Sequence, residues 1–132
     1  MTKYILKNKN AYSLLIGLKL SKEYIKNNEL SQSEEILNIL KDITSEENLK
    51  NIIKFRILDL EIEQKEINKA KKTISEIKKK GWENVFMDKQ GDIYCLENKK
   101  KLATITWKRS LKYQIDNKSK EIIKMKIQKL KK

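Results

Sequence analysis

Three acidic residues near the middle of the C-terminal half invite a metal-binding interpretation. Asp88, Asp92 and Glu97 look at first like the acidic ligands of a calcium-binding loop. However, Gly91 does not follow the third acidic ligand as such a loop requires, and Lys99 occupies the position of the bidentate carboxylate. Lysine cannot replace that ligand, so the pattern does not predict calcium binding.

Acid–base catalysis is the next chemistry that the residue types suggest. Asp59 and Glu63 lie four residues apart, which places both carboxylates on one face of a helix. Such pairs on helix surfaces are nearly always solvated. The chain has no His and one Cys, which excludes Ser-His, Cys-His and His-metal sites, a disulfide framework and a cysteine zinc site. We therefore expect no enzyme activity, no metal and no cofactor.

The basic residues are distributed unevenly along the chain. Its 132 residues have a net charge of +13, and Lys accounts for nearly all the basic residues. Because AT-rich genomes enrich proteins in Lys, Asn and Ile, this excess is weak evidence for phosphate binding. Residues 1–97 contain 18 basic and 16 acidic residues, whereas residues 98–132 contain 13 basic and two acidic. One alternative function is therefore a lysine-rich helical protein that binds nucleic acid through its basic C-terminal helix.

Helices are the elements that must position these side chains. The absence of Pro and the presence of only three Gly favour long helices with short connections. Apolar residues at three- and four-residue steps predict helices over residues 11–26, 31–43, 44–64 and 66–80, with Gly81 as the C-cap of the last. Local propensity over Val85–Met87 and Ile93–Cys95 favours β-strands instead.

A repeat resolves this ambiguity in favour of helices. Gly91 is followed by Tyr94, Ala103 and Trp107 at three, twelve and sixteen residues. This spacing is typical of a tetratricopeptide repeat, in which small residues let two helices cross closely and large residues fill the adjacent space. Similar positions recur 33 and then a further 37 residues earlier. The predicted packing residues are Ser21, Tyr24, Ser33, Leu58, Ala70, Gly91, Tyr94, Ala103 and Trp107.

The repeat predicts one all-α, tetratricopeptide-like domain over residues 1–132. We expect a right-handed superhelix of three helical hairpins, at about residues 11–43, 45–80 and 83–115, and a basic capping helix at about 118–131. The first helices of successive hairpins line a concave groove in such a fold, where a partner segment docks. The projected groove positions are Leu18, Lys22, Ile25, Phe55, Asp59, Ile62, Asp88, Asp92 and Cys95.

Some groove and C-terminal residues have a second interpretation. Leu18 and Phe55 are equally consistent with an ordinary core, and Cys95 is more typical of a small apolar side chain than of a reactive thiol. The basic C-terminal helix is best explained as a cap whose lysines face water. Contact with anionic lipid head groups is an alternative. Nucleic-acid binding is disfavoured because Arg and aromatic residues are scarce in this segment.

The chain resembles the YfgM family, the ancillary subunit of the bacterial SecYEG translocon. The resemblance covers essentially the whole chain and is an ordered set of short segments. These segments are Asn10–Tyr12, Leu18–Ser21, Lys26–Leu30, Ser45–Lys50, Gly81–Trp82, Asp88–Asp92 and Met125–Leu130.

This resemblance implies a function that composition does not show. Members of the family have a short cytoplasmic tail, one transmembrane helix and a periplasmic tetratricopeptide domain, which contacts SecYEG and the membrane-anchored chaperone PpiD. The present sequence matches the periplasmic part. The resemblance therefore implies a non-catalytic scaffold at the periplasmic face of the bacterial inner membrane. The tail and anchor are absent from this sequence, so we expect either a domain taken from a longer, anchored protein or a protein that has lost its anchor.

Overall fold

The computed structural model describes residues 11–131, and the side chains from Leu14 onward. These residues form helices joined by short connections, with no β-strand in the described range, so the predicted all-α class is confirmed. The segment with local strand propensity lies within one continuous helix, as the repeat predicts. The helices are α1 (Ala11–Lys26), α2 (Leu30–Ile43), α3 (Glu47–Glu63), α4 (Ile67–Ser75), α5 (Glu83–Leu96), α6 (Lys100–Ser110) and α7 (Asn117–Leu130).

The same three-residue turn joins α1 to α2, α3 to α4, and α5 to α6. Its central residue has a left-handed backbone at Asn28 (φ 60°), Lys65 (φ 58°) and Asn98 (φ 61°). The N–H of the next residue donates to a carbonyl oxygen five residues earlier, as in a Schellman motif. These bonds run from Glu29 to Tyr24 (2.7 Å), from Glu66 to Glu61 (2.8 Å) and from Lys99 to Tyr94 (2.9 Å). The turns are 37 and 33 residues apart, which matches the spacing of the sequence repeat.

The chain divides into two compact units, one up to Leu60 and one from Glu61. In the first unit, small residues let α1 and α2 approach closely. The Ser33 hydroxyl donates to the Ser21 carbonyl oxygen at 3.1 Å, and a Cβ on Gly17 would lie 2.6 Å from a methyl carbon of Leu40. The buried core of this unit consists of Ile36, Leu37, Leu40, Ile53, Ile57 and Leu60.

The second unit has a core around Trp107. Ala103, Ile123 and Ile127 are buried with this indole, so α7 contributes its apolar side to the same core as α6. The Asp116 carboxylate accepts a hydrogen bond from the Ser119 N–H at 2.6 Å and thereby caps the N-terminus of α7. Burial of its isoleucines therefore positions α7 against α6, and the Asp116 cap stabilises its first turn.

Helix α4 is shorter than the sequence pattern predicts. We expected it to continue to Lys80, but it ends at Ser75. The Ser75 hydroxyl donates to the Lys72 carbonyl oxygen at 2.6 Å. The N–H of Ile77 donates to the Ile74 carbonyl oxygen three residues earlier, instead of four as in an α-helix. Ile77 is buried after this change of direction, and Gly81 lies in the following connection with φ 84° rather than at a helix C-cap.

Candidate partner-binding site

The predicted groove residues of the first unit differ in accessibility. Lys22 and Asp59 are exposed, and Ile25 is 42% exposed. Leu18 packs partly against the core of this unit. Phe55 is only 6% exposed, so it is a core residue with little surface for a partner. The exposed part of the predicted strip in this unit is therefore mainly polar.

The structure brings three predicted groove residues of the second unit into one cleft. Ile62 at the end of α3 and Asp92 and Cys95 on α5 line a cavity of about 450 Å³. Residues from α6 and α7 complete its walls. We call this cavity the α5–α7 cleft; it is lined by Ile62, Asp92, Cys95, Leu96, Trp107, Lys126, Lys129 and Leu130.

A lysine from α7 binds two carboxylates at the edge of this cleft. The ammonium nitrogen of Lys126 lies 2.8 Å from a carboxylate oxygen of Asp88 and 2.9 Å from one of Asp92. All three side chains are largely buried, with the lysine 29% exposed. Asp88 and Asp92, which the sequence predicts as partner-binding acids, are therefore paired within the chain. A basic group on a partner would have to compete with Lys126 for them.

The charges of this cluster influence one another. Burial raises the pKa of Asp92 above its usual value because desolvation penalises the carboxylate, and the nearby charge of Asp88 adds to this effect. The positive charge of Lys126 opposes the shift without cancelling it. Burial alone would lower the pKa of Lys126, but attraction to Asp92 and Asp88 outweighs desolvation and the pKa is raised. Two carboxylates thus share one firmly protonated ammonium.

Trp107 connects this cluster to the helix crossing. Its indole N–H donates to the Asp88 carbonyl oxygen at 3.1 Å, and the Lys126 ammonium lies 5.8 Å from its ring centroid. A Cβ on Gly91 would lie 2.3 Å from two atoms of the indole. The absence of a side chain at Gly91 therefore allows Trp107 to pack against α5. There its indole N–H binds the carbonyl oxygen of Asp88, whose carboxylate pairs with Lys126.

Sequence reasoning missed the role of Lys126. We expected the lysines of α7 to face water, yet this residue lies on the same side of the helix as Ile123, Ile127 and Leu130. That spacing was the available signal, because a lysine one turn from buried isoleucines projects toward the core. Its partners also have a recognisable pattern, since Asp88 and Asp92 are one turn apart on α5.

The residues predicted to pack the repeat are largely inaccessible. Seven of the nine are buried, and the two tyrosines are partly buried. The middle hairpin follows the pattern with a larger residue, because Leu58 is 0% exposed at the position where Ser21 and Gly91 occur in the other hairpins. The buried positions are Ser21, Ser33, Leu58, Ala70, Gly91, Ala103 and Trp107.

The described residues offer no constellation for metal chemistry. Among residues 11–131, no three Cys, Asp or Glu side chains are grouped so that they could hold a metal ion. Cys95 is a free, half-buried thiol at the α5–α7 cleft. The arrangement of the cleft, an apolar wall with a few charged groups at its edge, is instead suited to binding.

Comparisons with known proteins are consistent with this description. Two proteins named ancillary SecYEG translocon subunit, from Buchnera aphidicola subsp. Acyrthosiphon pisum and subsp. Schizaphis graminum, are 39% and 40% identical to this chain over 128 residues. A protein of the same name from Escherichia coli is 30% identical over 128 residues. No solved structure matches. The resemblance to the ancillary translocon subunits is therefore confirmed.

The extent of each match defines what the comparisons cover. The aligned region is 97% of this chain, 66% of each Buchnera protein and 62% of the Escherichia coli protein, so the chain spans just under two thirds of these relatives. None of the helices in the described range is long and apolar enough to cross a membrane. The model of the tetratricopeptide repeat-like domain matches residues 5–132. Together with the all-α structure, this match shows that the chain belongs to the tetratricopeptide repeat-like family.

Proposed function

We propose that this chain is a non-catalytic interaction module that binds a segment of a protein partner in the α5–α7 cleft. The observation that supports this proposal is the convergence of Ile62, Asp92 and Cys95, predicted from the repeat register, on one cavity. The walls also include Leu96 and Leu130, so a partner's apolar side chain would be removed from water there. The charged groups at the edge would orient the segment.

The partner that we infer is the SecYEG translocon. Three relatives named ancillary SecYEG translocon subunit align with 97% of this chain. We further propose that the module acts on the periplasmic face of the bacterial inner membrane and links the translocon to chaperones such as PpiD. The resemblance of the sequence to the periplasmic part of the YfgM family supports this finer assignment.

The chain contains a single cysteine in a position that allows a direct test. Cys95 lines the α5–α7 cleft and is half-buried. A benzophenone photo-cross-linker attached to this thiol should form adducts with a SecYEG subunit when the labelled chain is mixed with the translocon in nanodiscs. A matched control uses the Cys95→Ala, Lys80→Cys double variant, in which the label is on an exposed residue outside the cleft.

Two measurements separate the parts of this proposal. Binding of the unlabelled chain to SecYEG nanodiscs tests the partner, and the position of the cross-link tests the site. Adducts from Cys95 with few from Lys80→Cys would support both. Absence of binding would overturn the translocon assignment, whereas binding with adducts only from the control position would exclude the cleft. Addition of PpiD should yield a ternary complex, and competition between PpiD and SecYEG would contradict a linking role.

A further inference from the structure

Helix α6 has an outward side made of basic and aliphatic residues. Its inward side is formed by Ala103, Trp107 and Ser110, all buried. On the opposite side, Leu102 is 44% exposed and Ile105 is 47% exposed. We call this side the α6 outer face and define it as Lys101, Leu102, Ile105, Lys108 and Arg109, all of them exposed.

The charge of this region is entirely of one sign. Residues 98–115 contain six basic and no acidic residues. Lys101, Lys108 and Arg109 form no ion pair with another residue of the described chain. The positive charge of the α6 outer face is therefore not neutralised within the second unit and is available to an anionic surface.

Exposed apolar side chains continue beyond the end of α6. In the connection to α7, Tyr113 is 47% exposed and Ile115 is 90% exposed. A separate recess of about 320 Å³ lies beside α6, and it is lined by Lys100, Lys101, Thr104, Ile105, Leu130 and Lys131. Cations and exposed aliphatic side chains therefore occur together on α6 and in the recess beside it.

We propose that the α6 outer face binds the surface of a membrane that contains anionic lipids. Lysine and arginine would contact the phosphate-containing head groups, and Leu102 and Ile105 would enter the boundary between head groups and acyl chains. Helices with a basic side and aliphatic residues lie in a membrane interface in this way, because charge attraction and apolar burial act together.

The aliphatic residues distinguish this partner from nucleic acid. A phosphate backbone would bind the same cations but would leave Leu102 and Ile105 in water, because aliphatic side chains provide no stacking surface for bases. The membrane proposal predicts that both charge and apolar variants weaken binding. A nucleic-acid ligand predicts loss with the charge variants alone.

The test is sedimentation of the full chain with vesicles of phosphatidylcholine that contain 30% phosphatidylglycerol. The charge variant Lys101→Gln, Lys108→Gln, Arg109→Gln should reduce affinity on the order of 100-fold, because three surface cations are removed. The control Lys19→Gln, Lys26→Gln, Lys72→Gln removes three exposed lysines elsewhere, and it should change affinity by less than about fivefold. The apolar variant Leu102→Gln, Ile105→Gln should reduce affinity at least tenfold.

The outcomes are distinguishable from failure of the proposed function. All substitutions are at exposed positions, and circular dichroism of each variant verifies the fold. Equal loss in the charge variant and its control would show attraction by net charge alone and would overturn the α6 outer face as a site. Unchanged vesicle binding by the apolar variant, with tighter binding to duplex DNA, would favour nucleic acid instead. Binding of each variant to SecYEG in detergent tests the proposed function separately, because no bilayer is present in that assay.

Discussion

We expect Gly91→Ala to destabilise the protein, although Gly91 lies inside helix α5, where alanine is normally the more stable residue. At an unhindered position this change stabilises a helix by about 1 kcal/mol, since Ala has the higher helix propensity. Here the new Cβ would lie 2.3 Å from Cδ1 and Nε1 of Trp107, and 2.9 Å from Cε2. Carbon atoms in contact are normally about 3.5–4.0 Å apart, so the indole or α5 must move.

The magnitude follows from what that movement disrupts. Trp107 is 3% exposed, and its ring is surrounded by the core of the second unit. Overpacking of a core costs about 1–3 kcal/mol. Displacement of the indole also breaks its hydrogen bond to the Asp88 carbonyl, which contributes roughly 1 kcal/mol. After the gain in helix propensity, we expect Gly91→Ala to lower the free energy of unfolding by about 2 kcal/mol.

Urea denaturation followed by circular dichroism measures this change. Gly17→Ala is a comparison variant: its Cβ would lie 2.6 Å from a methyl carbon of the buried Leu40, and it should cost less because a leucine side chain can rotate whereas an indole ring is rigid. In a Trp107→Leu background the clash is removed, so Gly91→Ala should become stabilising by up to about 1 kcal/mol. If Gly91→Ala were as stable as the wild type, the close crossing of α5 and α6 at Trp107 would be refuted.

Three further predictions concern the turns, the ion cluster and the α7 cap. Lys65→Gly should raise the free energy of unfolding by about 1 kcal/mol, because φ is 58° at this position and a side chain there brings Cβ too close to the backbone carbonyl oxygen. Urea denaturation measures this change, and a loss of stability would contradict the left-handed backbone at residue 65. Lys126→Met should cost about 2 kcal/mol at pH 7 because Asp88 and Asp92 remain without their cation. Its thermal stability should recover in part as the pH is lowered and Asp92, whose pKa is raised by burial, becomes protonated, and pH-independent destabilisation would argue against the cluster. Asp116→Ala should lower the melting temperature at pH 7, and Asp116→Asn should do so less because the amide oxygen can still accept from Ser119.

The stability linked to Asp116 is lost as the pH falls, whereas the stability linked to Asp92 and to Lys126 is lost as the pH rises. The hydrogen bond from the Ser119 N–H lowers the pKa of Asp116, so its stabilising effect is present above the ordinary pKa of 3.8 and is lost as the pH falls through its folded value. The pKa of Asp92 is raised by burial, so the stability linked to its protonation is greatest below 3.8 and decreases as the pH rises through its folded value. Lys126 stabilises below 10.5, and this contribution is lost as the pH rises through its raised pKa.

The packing of each hairpin was predictable because it depends on residue size at fixed spacing. The register that pairs Gly91 with Trp107 predicted a helical hairpin at about residues 83–115 against the local strand propensity, and the structure has a helix over Glu83–Leu96. The same register assigned Ser21 and Ser33 to the small-residue positions of the first hairpin, and in the structure the Ser33 hydroxyl donates to the Ser21 carbonyl oxygen. The end of α4 was less predictable, because apolar spacing continues to Ile77 whereas the Ser75 hydroxyl bond and the burial of Ile77 end the helix earlier.

The candidate site was only partly predictable. Ile62, Asp92 and Cys95 do line one cleft, but the register says nothing of what approaches them from another part of the chain. Lys126 is 34 residues beyond Asp92 and pairs with it only because α7 packs beside Trp107. Helical spacing locates a side chain on a face of its own helix, and it does not identify the helix that covers that face.

The sequence alone determined that this protein is helical and built from repeated hairpins. Residue size and helical period are local properties, and the absence of Pro and His limits both structure and chemistry without reference to any contact. The tertiary structure decided which charges are free and which are paired. It placed Lys126 between two carboxylates and left Lys101, Lys108 and Arg109 on an exposed helix side. The reason is physical: whether a charge is solvated or neutralised depends on distances between helices that are far apart in the chain.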